Sequence, residues 1–287
     1  MFSPDDSSSA SLVAQPSRVK LDVMIVSMAG RMDHLLSAGA LPEVEGVRYI
    51  VACQDPEHTL PDDYVPPEFS GRADLRFGLF RDRGVTKNRN HALDMSSAPY
   101  IYIADDDLEF SADGFRTIIL TMERNPELDC ALFRADIPEK RVFPPGEADL
   151  RKPWRFHSPV NFEIALRLQT VRRYGIRFCE LVGIGAPRMG AGEEEMMMAS
   201  LRKRGCSIRF FPKVIVRHPG NTTSVRNALR SDVIRSKGAV IGSLNTPLGV
   251  LLRLPLEAWR SPAPFFRAFR LIADGYLYYL RHIRKSL

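Results

Sequence analysis

Two stretches of this chain are dominated by apolar and β-branched residues with no alternation between inside and outside: "VKLDVMIVSMAG" (19–30) and "GVRYIVACQD" (46–55). A strand that reads apolar at successive positions is covered on both faces, which is the condition of a parallel sheet with helices on either side. Between and after them come a helical pattern at 32–37, a Pro-rich loop at 56–71, a short strand at "DLRFGLF", a helix across 86–96 and the strand "YIYIA". Strand, helix, strand is a βαβ unit, and ligands of such α/β sheets gather beyond the carboxyl ends of the strands.

Further along, the pattern predicts a helix over 112–124, a strand over 129–135, and a loop crossing the sheet over 138–160, where five prolines fall. Helical periodicity returns at 162–173 and at 193–204, the second closed by Gly205. "SIRFFPKVIVRHP" reads as a strand, with Pro212 placing it at an edge or a bend. From 224 onward the chain turns helical and basic, and apolar runs such as "LGVLL" are cut by Arg253 and Pro255, short of the roughly 18 residues a membrane-spanning helix needs. The chain contains no internal repeat.

With 287 residues, 45% hydrophobic and 26% charged, the composition is that of a folded globular chain. The four cysteines (Cys53, Cys130, Cys179, Cys206) form no CxxC pair, which argues against a zinc site or a disulfide framework and for reduced core thiols in the cytosol. Residues 1–18 lack a cationic start followed by an apolar run, so they are expected to be a disordered tail, neither signal peptide nor anchor. The net charge of +6 hides an asymmetry: residues 201–287 carry 17 Lys and Arg against 3 Asp and Glu, and residues 1–200 carry 23 against 31. The acidic part is expected to hold cation chemistry and the basic part to meet something anionic.

Four stretches bear chemistry. In "RGVTKNRNHAL" (83–93), Gly84 allows a tight turn, and Lys87, Arg89 and Asn90 fall in the first turn of the following helix. Cations are misplaced at that end of a helix unless an anion such as a diphosphate is bound there; the plain alternative is a solvated helix start. Asp105-Asp106-Asp107 follows directly on an apolar strand. Like charges so placed need a compensating cation, Mg²⁺ or Mn²⁺ with nucleotide phosphates, or else form an acidic surface turn. Glu193, Glu194 and Glu195 open a helix in "GAGEEEMMMASLRKRG", either as favourable charges at its positive end or with one of them as general base. Met196, Met197 and Met198 read as core packing. In "KVIVRHPGNTTS", His218 follows a strand and is either structural or a neutral metal ligand.

Taken in this order, the four stretches resemble a family 2 glycosyltransferase of the GT-A fold, over roughly residues 20–223. The residues that carry the resemblance are Gly84-Val85-Thr86-Lys87-Asn88-Arg89-Asn90, Asp105-Asp106-Asp107, Gly190-Ala191-Gly192-Glu193-Glu194 and His218-Pro219. The resemblance implies a Rossmann-like central sheet, mixed and mostly parallel, flanked by helices in a domain over 19–223, with a basic amphipathic helical extension over 224–287. It further implies metal-dependent, inverting transfer of a sugar from a nucleotide-diphospho-sugar to a glycan or lipid-linked glycan, in surface polysaccharide biosynthesis. Residue by residue, it places Ser27, Gln54 and Asp55 at the nucleoside, Asp105 and Asp106 at the ribose and metal, and Asp107 on the metal. His218 would be a further ligand, Gly84, Lys87, Arg89 and Asn90 would face the diphosphate, and Glu194 would be the base, with neighbouring Glu193 the other candidate. A glutamate stands where the family's pattern has aspartate.

The basic tail mixes arginines with Leu, Phe, Tyr and Trp259, so residues 246–287 are expected either to lie on an anionic membrane surface or to pack on the catalytic domain with a solvated face. Three rivals stand beside the transferase. A non-catalytic nucleotide-sugar binder or assembly subunit would keep the fold without turnover. A nucleic-acid-binding protein fits the pI near 9.2 but has no reading motif, so no nucleic acid partner is expected. A nucleotidyltransferase would need a Gly-rich, basic loop after the first strand, which is lacking.

Overall fold

The structure, a computed structural model, describes residues 19–152, 158–220 and 227–285. The expected N-terminal tail lies outside them. Strands β1 (Leu21–Met28), β2 (Val47–Gln54), β3 (Leu75–Phe80) and β4 (Tyr100–Asp105) are parallel, in the order β3-β2-β1-β4. Helix α1 (Asp33–Leu36) follows β1, and α2 (Val85–Met95) crosses from β3 to β4.

Successive residues of these strands enter opposite layers. Val23, Ile25, Tyr49, Val51 and Tyr102 pack with Phe115 and Ile118 of α3 (Ala112–Arg124), while Met24, Ile50, Ile101 and Ile103 pack on the other face with Leu93, Met197 and Leu201. Two covered faces are why the strands show no alternation. A buried ion pair pins their lower ends: Asp22, fully buried, accepts from Arg48 Nε (2.8 Å) and Nη2 (3.0 Å) and from the N–H groups of Ser97 (2.6 Å) and Ala98 (2.7 Å).

The second half of the sheet departs from expectation chiefly at residues 162–173, and adds two short strands that were not expected. Residues 162–173 are not one helix: a 3₁₀ turn (Asn161–Glu163) leads into β8 (Ile164–Arg167), which pairs antiparallel with both β4 and β6 (Cys130–Asp136), and only then does α4 (Leu168–Arg173) begin. Apolar residues at 162, 164, 166, 168 and 171 satisfy a period of two as well as a helical one, and a four-residue strand covered on both faces leaves no clearer mark. Strand β9 (Ile208–Arg217) runs parallel to β6 and antiparallel to the short β5 (Glu109–Phe110) and β7 (Ala148–Asp149), the last inside the proline-rich loop. Pro212 falls between the paired residues Phe210 and Val214, where the β6 register shifts, so it marks a bend as expected. Among the described residues the sheet has nine strands.

Helix α5 (Glu193–Lys203) buries Met196, Met197 and Met198, which are core packing as read. Helices α6 (Ser231–Leu244), α7 (Pro247–Arg260) and α8 (Phe265–Tyr278) share a core of Ile234, Ile241, Val250, Leu254 and Ile272. α6 and α8 meet backbone to backbone: a Cβ on Gly238 would lie 1.8 Å from Ile272 O, and one on Gly275 would lie 1.9 Å from Arg235 O. A second cluster joins these helices to the rest, with Val182, Met189 and Met196 against Ala239, Tyr279 and Ile283. All four cysteines are free thiols, three of them buried. Among the described residues no helix is long and apolar enough to cross a membrane.

Candidate active site

The carboxyl ends of β1, β2 and β4 open into a cavity of about 580 Å³. Ser27, ending β1, donates through Oγ to Asp106 Oδ2 at 2.6 Å. Burial pushes the Asp106 carboxyl above the ordinary aspartate range, against the Ser27 hydrogen bond and the nearby Arg31 charge. Gln54, ending β2, accepts from the Gly84 N–H (3.1 Å) and donates to Asp82 Oδ1 (2.7 Å), fixing the turn that starts α2. From the first turn of α2, Asn88 Nδ2 donates to the carbonyls of Ser27 and Ala52, both at 3.0 Å, tying the ends of two strands to the helix. Its Oδ1 is buried without a hydrogen-bond partner among the described residues, on the wall of the cavity.

The opposite wall is the start of α5 and the glycine-rich segment before it. Val85 N–H donates to Ile184 O at 2.9 Å, and a Cβ on Gly185 would stand 3.0 Å from Gly84 Cα. Both glycines have positive φ (126° at Gly84, 86° at Gly185), so neither position accepts a side chain without strain.

Arg89 crosses between the walls. Its Nη1 lies 3.2 Å from Glu194 Oε1 and 3.5 Å from Glu193 Oε1, and its Nη2 lies 3.3 Å from Asp105 Oδ1. Its Nε has no partner among the described residues. The single cation does not offset the burial of the acidic cluster. Burial, then the Glu193 charge, lifts the Glu194 carboxyl to about 8, with Arg89 pulling the other way. Burial raises Glu193 and Glu195 as well, and Glu195 accepts from Ser158 Oγ at 2.5 Å.

Asp107 and His218 face each other at the rim, with His218 Nε2 3.5 Å from Asp107 Oδ1. The imidazole is buried, stacked on Phe162 with ring centroids 5.4 Å apart, and its Nδ1 accepts from the Gly220 N–H at 3.2 Å, which leaves the proton of the neutral ring on Nε2. Asp105 is held elsewhere, accepting from Arg89 and from Asn161 Nδ2. Among the described residues no three His, Cys, Asp or Glu side chains form a group that could hold a metal. The three-ligand set of Asp105, Asp107 and His218 is therefore not assembled: Asp107 offers a carboxylate, and His218 can join it through Nε2 only in the other tautomer, which gives up the Gly220 hydrogen bond. A single carboxylate fits Mg²⁺ or Mn²⁺, which keep several ligands from water or phosphate.

Of the residues expected to contact donor, Ser27, Gln54, Gly84, Arg89, Asp105 and Asp106 line the cavity, as do Asp107, His218, Glu193 and Glu194. Asp55, Lys87 and Asn90 do not. The Asp55 carboxylate is consumed by the turn after β2, accepting from Thr59 N–H (3.0 Å), Thr59 Oγ1 (2.9 Å), Leu60 N–H (2.9 Å) and Arg81. Against the effect of burial, these bonds hold it down at about 2. Asn90 clamps Phe178, donating to its carbonyl (3.1 Å) and accepting from its N–H (3.0 Å). Lys87 lies outside the cavity lining; against burial, the His91 and Gln54 hydrogen bonds lower the Asp82 carboxyl, and the Lys87 charge adds to them.

Sequence reasoning missed Arg31, Asn88 as a clamp, and the wall supplied by residues 139–141 and 158–162. There Asn161 holds Asp105, and buried Glu163 pairs with Arg141 at 2.7 Å, its carboxyl pushed up to about 7 by burial against that arginine. "RN" beside a lone Asn carries a sequence signal for Asn88, but the 139–162 loop has no periodicity to read.

The order of strands and the site at their carboxyl ends define a nucleotide-diphospho-sugar transferase fold of the GT-A type. Residues 77–179 match the family described as Glycosyl transferase family 2. The same fold is seen in S. aureus TarS. The crystal structure of TarS 1-349 is 13% identical with a TM-score of 0.54, covering 93% of this chain and 73% of that one. The complex of TarS 1-349 with UDP-GlcNAc gives 11% identity and a TM-score of 0.56, over 93% and 74% of the two chains. No curated protein matches the chain.

Proposed function

We propose that this chain transfers a glycosyl group from a nucleotide-diphospho-sugar to a hydroxyl of a glycan or lipid-linked glycan, with inversion. Residues 19–223 are the transferase domain and 224–287 its helical extension. The observation that supports this most is the meeting, in one cavity, of Asp105, Asp106 and Asp107 with Glu193 and Glu194, bridged by Arg89. The UDP-GlcNAc complex of TarS makes a UDP-sugar the first donor to try.

In this reading the nucleoside lies over Ser27, Gln54 and Asp106 at the strand ends, and the diphosphate faces the start of α2. Glu194 takes the proton of the acceptor hydroxyl. The acceptor oxygen then forms its bond to the anomeric carbon as the bond from that carbon to the diphosphate oxygen breaks, and the electron pair leaves with the nucleoside diphosphate. A carboxylate raised to about 8 is a stronger base than an exposed one. Glu193 is the second candidate, Arg89 holds both in place, and Asn161 orients Asp105. A divalent cation held by Asp107, with His218 joining through Nε2 once its ring proton is on Nδ1, would, when bound, neutralise charge on the leaving diphosphate. The four free thiols fit a reducing compartment, so we place the chain in the cytoplasm, in surface polysaccharide biosynthesis.

The test is a thermal-shift screen against UDP-, GDP-, dTDP- and CMP-sugars, each with Mn²⁺ and with chelator, repeated on Asp107→Ala. The expected result is a metal-dependent rise in melting temperature for one nucleotide class, absent in the variant. No shift with any sugar nucleotide in the presence of metal overturns the reading.

A further inference from the structure

Helices α7 and α8 are apolar on two sides. Their inner stripe, Val250, Leu254 and Ala258 with Ala268 and Ile272, packs on α6. A second stripe at helical spacing faces outward: Leu248, Leu252 and Leu256 lead to Trp259, and Phe266 and Phe269 continue on α8. Leu252 is 70% exposed, Trp259 79% and Phe266 83%. Surfaces of this kind mark interaction sites.

Its charges and its missing polar groups say what covers it. Arg253, Arg260 and Arg270 are exposed on the same two helices and have no ion-pair partner among the described residues. The only two carboxylates of the pair are turned away and neutralised, Glu257 by Lys237 at 2.8 Å and Asp274 by Arg235 at 2.7 Å. From residue 247 to 277 the only Ser, Thr, Asn or Gln is Ser261, whose Oγ accepts from the Ala263 N–H at 3.3 Å. A protein partner would be met by about one hydrogen bond per 100–200 Å² of interface, and this face offers few donors or acceptors besides guanidinium. We infer that the outer face of α7 and α8 lies on an anionic lipid bilayer, its Leu, Trp and Phe side chains at the acyl boundary and its arginines among anionic headgroups. This inference is independent of the donor cavity.

The test is flotation of the full chain, without metal or sugar nucleotide, with vesicles of phosphatidylcholine alone or mixed with phosphatidylglycerol. Phosphatidylglycerol is expected to raise the bound fraction by about tenfold or more. Leu252→Glu with Phe266→Glu, and separately Arg253→Ser with Arg260→Ser and Arg270→Ser, are each expected to lose that gain at an unchanged melting temperature. In parallel, lipid-borne bromine is expected to quench Trp259 of an otherwise native chain carrying Trp154→Phe. Equal binding to both vesicles, absent quenching, or a concentration-dependent dimer dissolved by the Leu252 and Phe266 changes overturns the inference, the last by making a second copy the occupant.

Discussion

Glu194 and Arg89 are the two side chains on which the proposed chemistry turns. Glu194→Gln keeps the shape and removes the base, so turnover is expected to fall by about 10²–10⁴ while the donor-induced thermal shift is retained. An unchanged rate would leave the chain a binder of nucleotide sugars. The pH dependence has a definite sign. Because the Glu194 carboxyl is raised from 4.5 to about 8, the folded state holds a proton that the unfolded state releases. Its contribution to stability is full below pH 4.5 and is lost as pH rises through about 8. The melting temperature is therefore expected to fall between pH 5 and 8.5, and to fall less in Glu194→Gln. Catalysis runs the other way, with activity rising through about pH 8 as the base ionises. Arg89 lowers that carboxyl, so Arg89→Met is expected to push the rising limb of the pH–rate profile upward.

At the scale of elements, β1 and β2 are registered by a buried charge as well as by packing. Asp22→Ala leaves Arg48 buried without its partner, and a loss of about 3–5 kcal/mol is expected in urea unfolding. Gly238→Leu drives a side chain into the backbone of α8 and is expected to loosen α6 to α8, read as faster amide exchange in residues 231–278. The same elements show what could be read in advance. β1, β2, β4, α2 and α3 were legible because long runs with both faces covered, or a clear helical period, leave unambiguous patterns. β8 was not, because four residues at the sheet's centre satisfy two periods at once. Of the residues that line the cavity, Ser27, Gln54, Asp105, Asp106 and Glu194 were conspicuous in the sequence because each stands next to a strand end or a helix start. Asp55 and Asn90 stand at equally conspicuous positions but are used up by local hydrogen bonds, which no spacing reveals. Asn161 and Arg141 flank a proline-rich stretch with no periodicity to read.

For the molecule as a whole, the helices α6 to α8 are part of the core and not a detachable tail. Truncation after residue 230 exposes Val182, Met189 and Met196, and the shortened chain is expected to be insoluble or to melt well below the full one in a circular-dichroism scan. Donor binding is expected to stabilise the full chain by about 2.7 kcal/mol at a hundredfold excess over Kd. One further consequence lies in the contact between Gly84 and Gly185. The hydrogen bond from Val85 to Ile184 and the touching glycines set the gap between the start of α2 and the approach to α5 by backbone alone. That side of the cavity behaves as a fixed gauge, which substitutions cannot widen without strain. What the cavity admits is then tuned from the other side, through Lys140, Arg141, Ser158 and Asn161. A change of sugar preference in descendants of this chain should be recorded in those side chains, with Gly84 and Gly185 inherited intact.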